Sequence, residues 1–145
     1  MHRITDFKTE QPCIKVEYLE GKKIAKQLLL TALLPNNSRR CVGLAHNQIG
    51  GDKRVYIVKH DKKWRAFINP TISVSSNTET SFENCMSYPK GKTTPIQRGV
   101  EVSVMHQIGE NEFKTETFTG EVAIRHQHEF DHLQGIHIYN KNEEK

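Results

Sequence analysis

The stretch EVAIRHQHEFDHL, residues 121–133, is the part of the sequence around which the rest of the chain is expected to fold. Thr119 stands before it as a candidate N-cap, and Glu121 suits the positive end of a helix dipole. Gly135 follows it and suits the left-handed residue that often terminates a helix. The pattern therefore predicts an α-helix that begins after Thr119 and ends before Gly135.

Two histidines in this helix can share a metal ion. His128 and His132 are four residues apart in HEFDH, so their rings project from one face of a helix. Glu129 lies beside them, where a general base would stand. A polar, solvent-exposed helix could contain the same HExxH pattern by chance. However, this segment comes late in a small chain, after predicted strands that would cover it, and burying such side chains without partners is costly. We therefore expect a metal site.

A catalytic metal needs about three protein ligands and an open position, so a third ligand must come from elsewhere. The HExxHxxGxxH proteases take it three residues after the glycine, and Gly135 has the matching offset. Ile138 occupies that ligand position, and His137 is one residue out of register. The protease interpretation is therefore disfavoured. A structural zinc site would favour four protein ligands, and His126 and His137 keep that alternative open.

Upstream, the sequence predicts a helix and a β-hairpin. Apolar residues recur at intervals of three and four from Tyr18 to Leu34, before a Pro-Asn-Asn-Ser run that ends the helix. Two strand-like runs, RVYIV at residues 54–58 and WRAFI at residues 64–68, are joined by the polar turn KHDKK and predict the hairpin. Asn69 and Pro70 are expected to break this pattern.

More strands are predicted before the metal-binding helix. The hydroxyl-rich SVSSNTETS segment, residues 73–81, suits a loop or exposed strands. Valines alternate with other residues in GVEVSVM, residues 99–105, and FKTETF, residues 113–118, follows the turn IGENE, which predicts an antiparallel pair. The expected architecture is α+β, with antiparallel β-sheets around a central metal-binding helix, in a single domain over residues 1–145.

Composition argues against several classes of protein. The formal net charge is +4, but basic and acidic residues are interleaved, which is typical of a solvated surface and not of a specific nucleic-acid site. No apolar run approaches the roughly 20 residues that span a bilayer, and the first residues do not form a secretion signal. The chain has an odd number of widely spaced cysteines, Cys13, Cys41 and Cys85, which does not suit a set of disulfide bonds. Free thiols of this kind are typical of a reducing compartment. We therefore expect a cytoplasmic protein without a membrane partner.

Three short motifs follow one another along the chain: CVGLAHNQIG at residues 41–50, SFENCMSYP at residues 81–89 and HEFDH at residues 128–132. In this order they resemble the motifs of the peptide deformylase family. CVGLAHNQIG, residues 41–50, is similar to the family's GxGxAAxQ motif, with Gln48 matching its last position. SFENCMSYP, residues 81–89, is similar to its EGCLS motif, and HEFDH resembles its third. The INP segment at residues 68–70 and Arg98 also fall where the family has similar residues. The resemblance implies the deformylase fold, with antiparallel sheets surrounding the HEFDH helix.

The resemblance also implies a ligand set and an activity. Cys85 would join His128 and His132 in holding one divalent ion, which the family comparison predicts to be Fe²⁺, with Zn²⁺, Ni²⁺ or Co²⁺ as substitutes. The implied reaction is removal of the formyl group from N-formylmethionyl peptides or nascent chains, which releases formate. A monomer in transient contact with the ribosome is the expected working form.

Catalytic residues follow from the same resemblance. Glu129 is expected to accept a proton from the attacking water and to pass it to the departing amine. The side-chain amide of Gln48 and the backbone N–H of Met86 are expected to donate hydrogen bonds to the oxygen that becomes negative. Glu83 and Arg98 are expected to orient the loop that carries the cysteine.

Substrate contacts are predicted at four positions. Gly43, Leu44 and Ala45 belong to the first motif, and helical spacing places Arg125 near Glu129. The family often has a small or apolar residue at the position of Arg125, where it lines the methionine pocket. We hypothesise that Arg125 changes this pocket or lowers the pKa of Glu129. An Arg125 stem that packs on the surface with its head in water is the alternative.

Some positions depart from the family pattern. Cys41 replaces the first glycine of its motif, His46 replaces an alanine, and Asn84 replaces the glycine of EGCLS, where asparagine could adopt a left-handed conformation. The short segment after His132 resembles the short deformylases of phages, so host cytoplasm and an organelle are further expected locations. Two other functions stay open: a small HExxH peptidase, and a binding module that has lost catalysis.

Overall fold

The computed structural model describes residues 11–87 and 92–141. Its helices and strands, in chain order, are α1 (Tyr18–Ala32), β1 (Gly43–Ala45), β2 (Val55–His60), β3 (Lys63–Val74), β4 (Thr78–Glu83), β5 (Thr94–Gly99), β6 (Glu101–Gly109), β7 (Glu112–Thr119) and α2 (Gly120–Leu133), with a 3₁₀ turn at His46–Ile49. Tyr88 and Pro89, the end of the second sequence motif, lie outside the described residues.

The strands form two antiparallel sheets. Five strands pair in the order β1-β2-β3-β6-β7, and β4 pairs with β5 in a separate two-stranded sheet. Helix α2 contacts strands of both sheets, whereas α1 packs mainly on β2 and β3. The predicted α+β architecture, with antiparallel sheets around the HEFDH helix, is therefore confirmed.

Helix α1 is amphipathic, and its apolar face forms one of the two larger cores. Ile24, Leu28 and Ala32 recur at intervals of four residues and are buried together with Ile57 of β2. The helix ends at Ala32, two residues before the predicted end, because Leu33 closes the last turn as its C-cap. The spacing of apolar residues thus located the helix and its buried face.

The predicted hairpin of β2 and β3 is confirmed, but its turn is shorter than the KHDKK segment. His60 and Lys63 are paired, so Asp61 and Lys62 alone form the turn. Both have positive φ, 45° and 69°, as a two-residue turn between twisted antiparallel strands requires. Lys62 is therefore fixed at the tip of this hairpin.

Asn69 and Pro70 interrupt the hairpin pattern, as predicted, because the pairing of β2 with β3 ends at Ile68, but they do not end the strand. Strand β3 continues to Val74, with a shift of register between Ile68 and Thr71 where it pairs with β6. Asn69 adopts a φ of 50°, and its side chain bonds to the backbone N–H of Val16 at 3.0 Å and to its carbonyl at 2.7 Å. These hydrogen bonds hold the backbone irregularity that the Asn-Pro pair had indicated.

The strands that follow are largely as predicted. Residues 73–81 form the end of β3, a short connection and part of β4, which matches the exposed-strand alternative. Strands β6 and β7 pair antiparallel, and Val102 and Val104 are buried in the second of the larger cores. Val100, the first of the three alternating valines, lies instead at the bend between β5 and β6.

Helix α2 begins and ends near its predicted limits, with one difference. Gly135 has a φ of 80°, and its N–H bonds to the carbonyl of His132, which ends the helix. Thr119 is the N-cap residue, as predicted, although its side chain makes no capping hydrogen bond. Thr119 is held in the sheet instead, as the last paired residue of β7 opposite Glu101. Among the described residues, neither helix is long and apolar enough to cross a membrane.

Candidate metal centre

Three side chains from two parts of the fold bring their donor atoms together. Cys85 follows β4, and His128 and His132 project from one face of α2. One donor atom of each lies within 4.8 Å of the other two, and Cys85 Sγ is 3.4 Å from His132 Nε2. Metal–sulfur and metal–nitrogen bonds of about 2.3 and 2.0 Å, at tetrahedral angles, separate such atoms by about 3.5 Å. The spacing therefore fits a single ion.

Glu83 orients one of the histidines. Its Oε1 accepts a hydrogen bond from Nδ1 of His128 at 2.8 Å, which leaves Nε2 of that ring as the donor to a metal. Arg98 donates two hydrogen bonds of 2.8 Å to the same carboxylate and one more to Asp131 of α2. Carboxylates commonly fix metal-binding histidines in this way. Glu83 and Arg98 thus lie behind the centre and hold it together.

The groups around the three donors favour a positive charge between them. Burial opposes a charge on His128, but hydrogen bonds with Cys85 and Glu83 outweigh it and raise the pKa of the ring to about 10. Burial also raises the pKa of Glu83, yet hydrogen bonds from Arg98 and His128 lower it to about 2. Burial lowers the pKa of His132, which keeps that ring neutral, as a metal ligand must be. A divalent cation would supply the favoured charge.

Glu129 lies next to the donors and is 5% exposed. Its buried Oε1 has no hydrogen-bond partner among the described residues. Burial is the main cause that raises the pKa of this carboxyl to about 7. Gly43 makes room for it, because a Cβ at position 43 would lie 2.7 Å from Glu129 Oε2. A carboxyl group with a near-neutral pKa and one unpaired oxygen is suited to accept and return a proton.

Gln48 is fixed beside the cysteine by both ends of its amide. Its Oε1 accepts the N–H of Ala45 at 2.9 Å, and its Nε2 donates to Ser87 Oγ at 3.1 Å. The same Nε2 lies 3.7 Å from Cys85 Sγ, a long contact that engages its second N–H only weakly. Met86 lines the cleft next to Gln48. The structure therefore fixes the Gln48 amide beside Cys85, and Met86 is part of the lining of the same cleft.

The centre opens onto a cleft of about 540 Å³, which Glu129 also lines. Of the four expected substrate contacts, Gly43 and Arg125 line this cleft. Leu44 and Ala45 do not, because their side chains are fully buried in the two larger cores. Two of the four side chains are thus part of the structure that supports the cleft and not of its wall.

Arg125 is held by polar partners at the rim of the cleft. Its Nη1 donates to the carbonyl of Lys59 at 2.8 Å, and its Nη2 lies 3.4 Å from Glu121 Oε2. The hypothesis that Arg125 lowers the pKa of Glu129 is not supported, since burial raises that pKa and the strongest opposing charge is that of His128. Arg125 changes the cleft by placing a charged group in its lining.

The three departures from the sequence motif are accommodated without loss of a donor. Cys41 is buried, and its Sγ contacts the carbonyl of Gly43 at 3.4 Å. His46 Nδ1 accepts a backbone N–H at 3.1 Å, and Asn84 Oδ1 accepts a threonine hydroxyl at 3.1 Å. Asn84 is absent from the residues with positive φ, so the left-handed conformation considered for it is not used.

Within residues 11–87 and 92–141, the cluster contains three donors and no fourth. His126 is engaged elsewhere, with Nδ1 at 2.7 Å from Tyr56 Oη and Nε2 at 3.0 Å from His60 Nε2. His137 lies outside the cluster, and Ile138 is buried and apolar. A three-ligand centre with an open position is typical of catalysis, whereas a structural zinc site is closed by a fourth ligand.

Sequence reasoning missed three residues that hold α2 in place. Asn47 donates from Nδ2 to the carbonyl of His132 at 2.6 Å. Gln127 bonds to both the N–H and the carbonyl of Gly99 in β5, each at 2.9 Å. Asp131 accepts the hydrogen bond from the arginine of β5. All three stand within or next to a motif, but their partners are far away in sequence and no local pattern reveals them.

A family model and several known proteins that are similar to this chain are described as deformylases. The model of the polypeptide deformylase family matches residues 3–145. The peptide deformylase of Dictyoglomus turgidum is 31% identical over 137 residues, which make up 92% of this chain and 89% of that protein. The crystal structure of peptide deformylase from Thermotoga maritima aligns with a TM-score of 0.83 and 29% identity, over 97% of this chain and 96% of that one. A probable peptide deformylase from Synechococcus phage S-SSM7 aligns with a TM-score of 0.83 and 25% identity, over 97% and 99%.

Proposed function

Because this chain belongs to the polypeptide deformylase family, we propose that it removes the formyl group from N-formylmethionyl peptides with one divalent ion held by Cys85, His128 and His132. It is a hydrolase: the amide bond between the formyl carbon and the terminal nitrogen breaks, and formate and a free amino terminus are released. The observation that carries the proposed site is the convergence of three donor atoms beside a buried carboxyl group in an open cleft. We assign residues 1–145 to one catalytic domain.

The native ion in this proposal is Fe²⁺, with Zn²⁺, Ni²⁺ or Co²⁺ as substitutes. One thiolate and two neutral imidazoles suit all four ions, and the family resemblance favours iron. When bound, the ion supplies a Lewis acid that activates water and polarises a carbonyl group. The local preference for positive charge beside Cys85 and Glu83 supports a cation at this place.

Proton transfer is assigned to Glu129. Its unpaired Oε1 accepts a proton from the attacking water and then delivers it to the amine nitrogen that leaves. A carboxyl with a pKa of about 7 can do both near neutral pH, because neither its charged nor its neutral form is strongly favoured. Gly43 keeps the space that this carboxylate needs.

Stabilisation of the developing negative charge is assigned to Gln48 and to the backbone N–H of Met86. The amide of Gln48 is held on its oxygen side by Ala45, so its Nε2 has a fixed position. A donor that is positioned before the reaction does not have to reorganise when the charge develops, which makes it effective in a cleft with little water. The weak contact of Nε2 with Cys85 Sγ can be exchanged for one with the substrate oxygen.

Side chains of mixed character line the cleft around the reacting group. Phe82, Met86 and Ile124 supply apolar surface for the methionine side chain, and Gly43 and Arg125 complete the rim that we assign to substrate binding. In this proposal the protein works as a monomer in the cytoplasm, in transient contact with the ribosome, where formylated nascent chains emerge. A host cytoplasm or an organelle would offer the same substrate.

The proposal is tested by formate release from formyl-Met-Ala-Ser, with protein loaded with Fe²⁺ or Ni²⁺ without oxygen. We expect the Glu129→Gln variant to keep its metal and to lose activity by about 10²–10⁴-fold. Cys85→Ala should lose metal and activity together, whereas Cys13→Ala, which removes another buried cysteine, should lose neither. Acetyl-Met-Ala-Ser should release no acetate.

Three outcomes would count against the proposal. Wild-type protein that binds one equivalent of metal and releases no formate would contradict the proposed reaction. Full activity in Glu129→Gln would contradict the proposed proton transfer. Cleavage of internal peptide bonds would instead favour a peptidase.

A further inference from the structure

A second cavity continues the cleft beyond Arg125. It measures about 530 Å³ and shares three lining residues with the cleft, namely Val42, Glu121 and Arg125. Its remaining wall comes from the β2–β3 hairpin and from the start of α2, with Lys59 and Lys62 among the lining residues. A peptide that enters the cleft can therefore extend into this second cavity without leaving the protein surface.

The second cavity is lined by more cationic than anionic side chains. Among the described residues, neither the Lys59 nor the Lys62 ammonium group forms an ion pair, and Lys59 Nζ lies 6.0 Å from the ring of Trp64. Glu121, one of two carboxylates in the wall, lies 3.4 Å from Arg125. Asp61 is the other carboxylate. Three cations against two carboxylates leave a net positive wall.

The hairpin tip keeps this charge in place. The N–H of Lys59 bonds to the carbonyl of Val42 at 2.9 Å, which ties the strand to the rim of the cleft. Lys62 stands in the two-residue turn, whose positive φ angles fix the path of the backbone. The Arg125 guanidinium binds the carbonyl of Lys59 and so joins the helix to the same strand. The cations are therefore carried by a braced part of the fold.

We propose that this second cavity binds acidic side chains that follow the formylmethionine, and that Lys59 and Lys62 set a preference for such substrates. The inference rests on the proposed function, because the formyl group must lie at the metal centre for the later residues to reach the hairpin. The occupant is the downstream part of the peptide substrate, since the cavity continues the cleft and carries the complementary charge.

This preference acts on binding and not on the chemical step. Ion pairs between the peptide and the hairpin are the same in the ground state and in the transition state, so they lower KM and leave kcat nearly constant across peptides. Lys62 is exposed to solvent and Lys59 is partly exposed, and added salt therefore weakens the effect. A structural role of the two lysines would produce neither the dependence on peptide charge nor the dependence on salt.

The test compares formyl-Met-Ala-X-X-X peptides in which X is Glu, Gln or Lys, with metal-loaded wild-type protein at low and high salt. We expect KM for the Glu peptide to be about fivefold lower than for the Gln peptide at low salt, and the Lys peptide to bind most weakly. In the Lys59→Gln/Lys62→Gln double variant, the ratio of the KM values for the Glu and Gln peptides should approach one. Lys63→Gln, which removes an exposed neighbouring cation outside both cavities, should keep the wild-type ratio.

Binding is also measured without turnover, through the fluorescence of the single tryptophan, Trp64, near Lys59. The unformylated peptide Met-Ala-Glu-Glu-Glu should change this fluorescence at lower concentration than Met-Ala-Gln-Gln-Gln, and only in proteins that retain Lys59 and Lys62. If formate is released from all three peptides with the same KM, the inference is overturned and the proposed function stays intact. No release from any peptide would count against the proposed function, and the fluorescence titration would then decide the inference alone.

Discussion

Nδ1 of His128 and Oε1 of Glu83 lie 2.8 Å apart, so a buried carboxylate holds the ring of a candidate metal ligand. We predict that Glu83→Gln weakens metal binding by about 10- to 100-fold, because the amide supports the ring less well and leaves Arg98 without its carboxylate. Competition with a chelator measures this affinity. Glu79→Gln, an exposed change in the same strand, is the control, and equal affinities in all three proteins would contradict the prediction.

Gly43→Ala should disturb Glu129 without touching a metal donor. The added Cβ would lie 2.7 Å from Glu129 Oε2, so the carboxylate must move. We expect kcat to fall by about 100-fold, at the lower end of what a general base contributes, with metal content unchanged. Steady-state kinetics and metal analysis check this result. Gly109→Ala is the control: its added Cβ would lie 3.4 Å from the nearest atom, Glu112 Cβ, and this variant should keep its activity.

Gln48→Ala should slow the reaction while the metal stays bound. Loss of a fixed donor to the developing negative charge costs about 3 kcal/mol in transition-state stabilisation, or about 100-fold in kcat/KM. Gln97→Ala removes an exposed glutamine of β5 and serves as the matched change. A Gln48→Ala protein with wild-type kcat/KM would show that the amide only supports Ala45 and Ser87, to which it is bonded.

The stability of the five-stranded sheet should depend on pH through Glu116. A hydrogen bond from Arg65, and a further one from His106, lower the pKa of this carboxyl from 4.5 to about 2. A carboxyl whose pKa is lower in the folded state stabilises the fold fully above its unfolded pKa, and the stabilisation is lost as pH falls toward the folded value. The difference in Tm between wild type and Glu116→Gln should therefore be largest above pH 5 and shrink between about pH 4.5 and 2.

Thermal unfolding followed by circular dichroism between pH 2 and pH 7 measures this difference. Glu112→Gln, at the exposed start of the same strand, gives the matched control and should show no such trend. A difference for Glu116→Gln that stays constant over the whole range would mean that the carboxylate charge is not the stabilising element.

Most helices and strands could be predicted from the spacing of apolar residues in the sequence. The intervals between apolar residues in α1 and the alternation of Val102 and Val104 are local consequences of burial on one face, so they are visible in the sequence. The path of β3 through Asn69 was not predictable. The side chain of Asn69 accepts a hydrogen bond from the N–H of Val16 and donates one to Gln107, and both partners are far away in sequence.

The candidate site divides in the same way. The spacing of His128 and His132 follows from the helix repeat, and these rings converge as expected. Cys85 was found through the family resemblance alone, since nothing local marks a single cysteine as a ligand. The side chains of Leu44 and Ala45 are buried. The motif did not predict this, because it gives the position of a residue and not the direction in which its side chain points.

The two-stranded sheet β4–β5 contributes to only a small apolar core, formed by Cys85, Ile96 and Ile138. Its attachment to α2 is largely polar, through the contacts of Arg98 and Gly99 with the helix. Opening of this sheet therefore costs less free energy than opening of the larger one, and its amide protons should exchange with solvent sooner. Since Cys85 directly follows this sheet, metal loading should slow that exchange, and the protection of β4 and β5 would report how fully the centre is occupied.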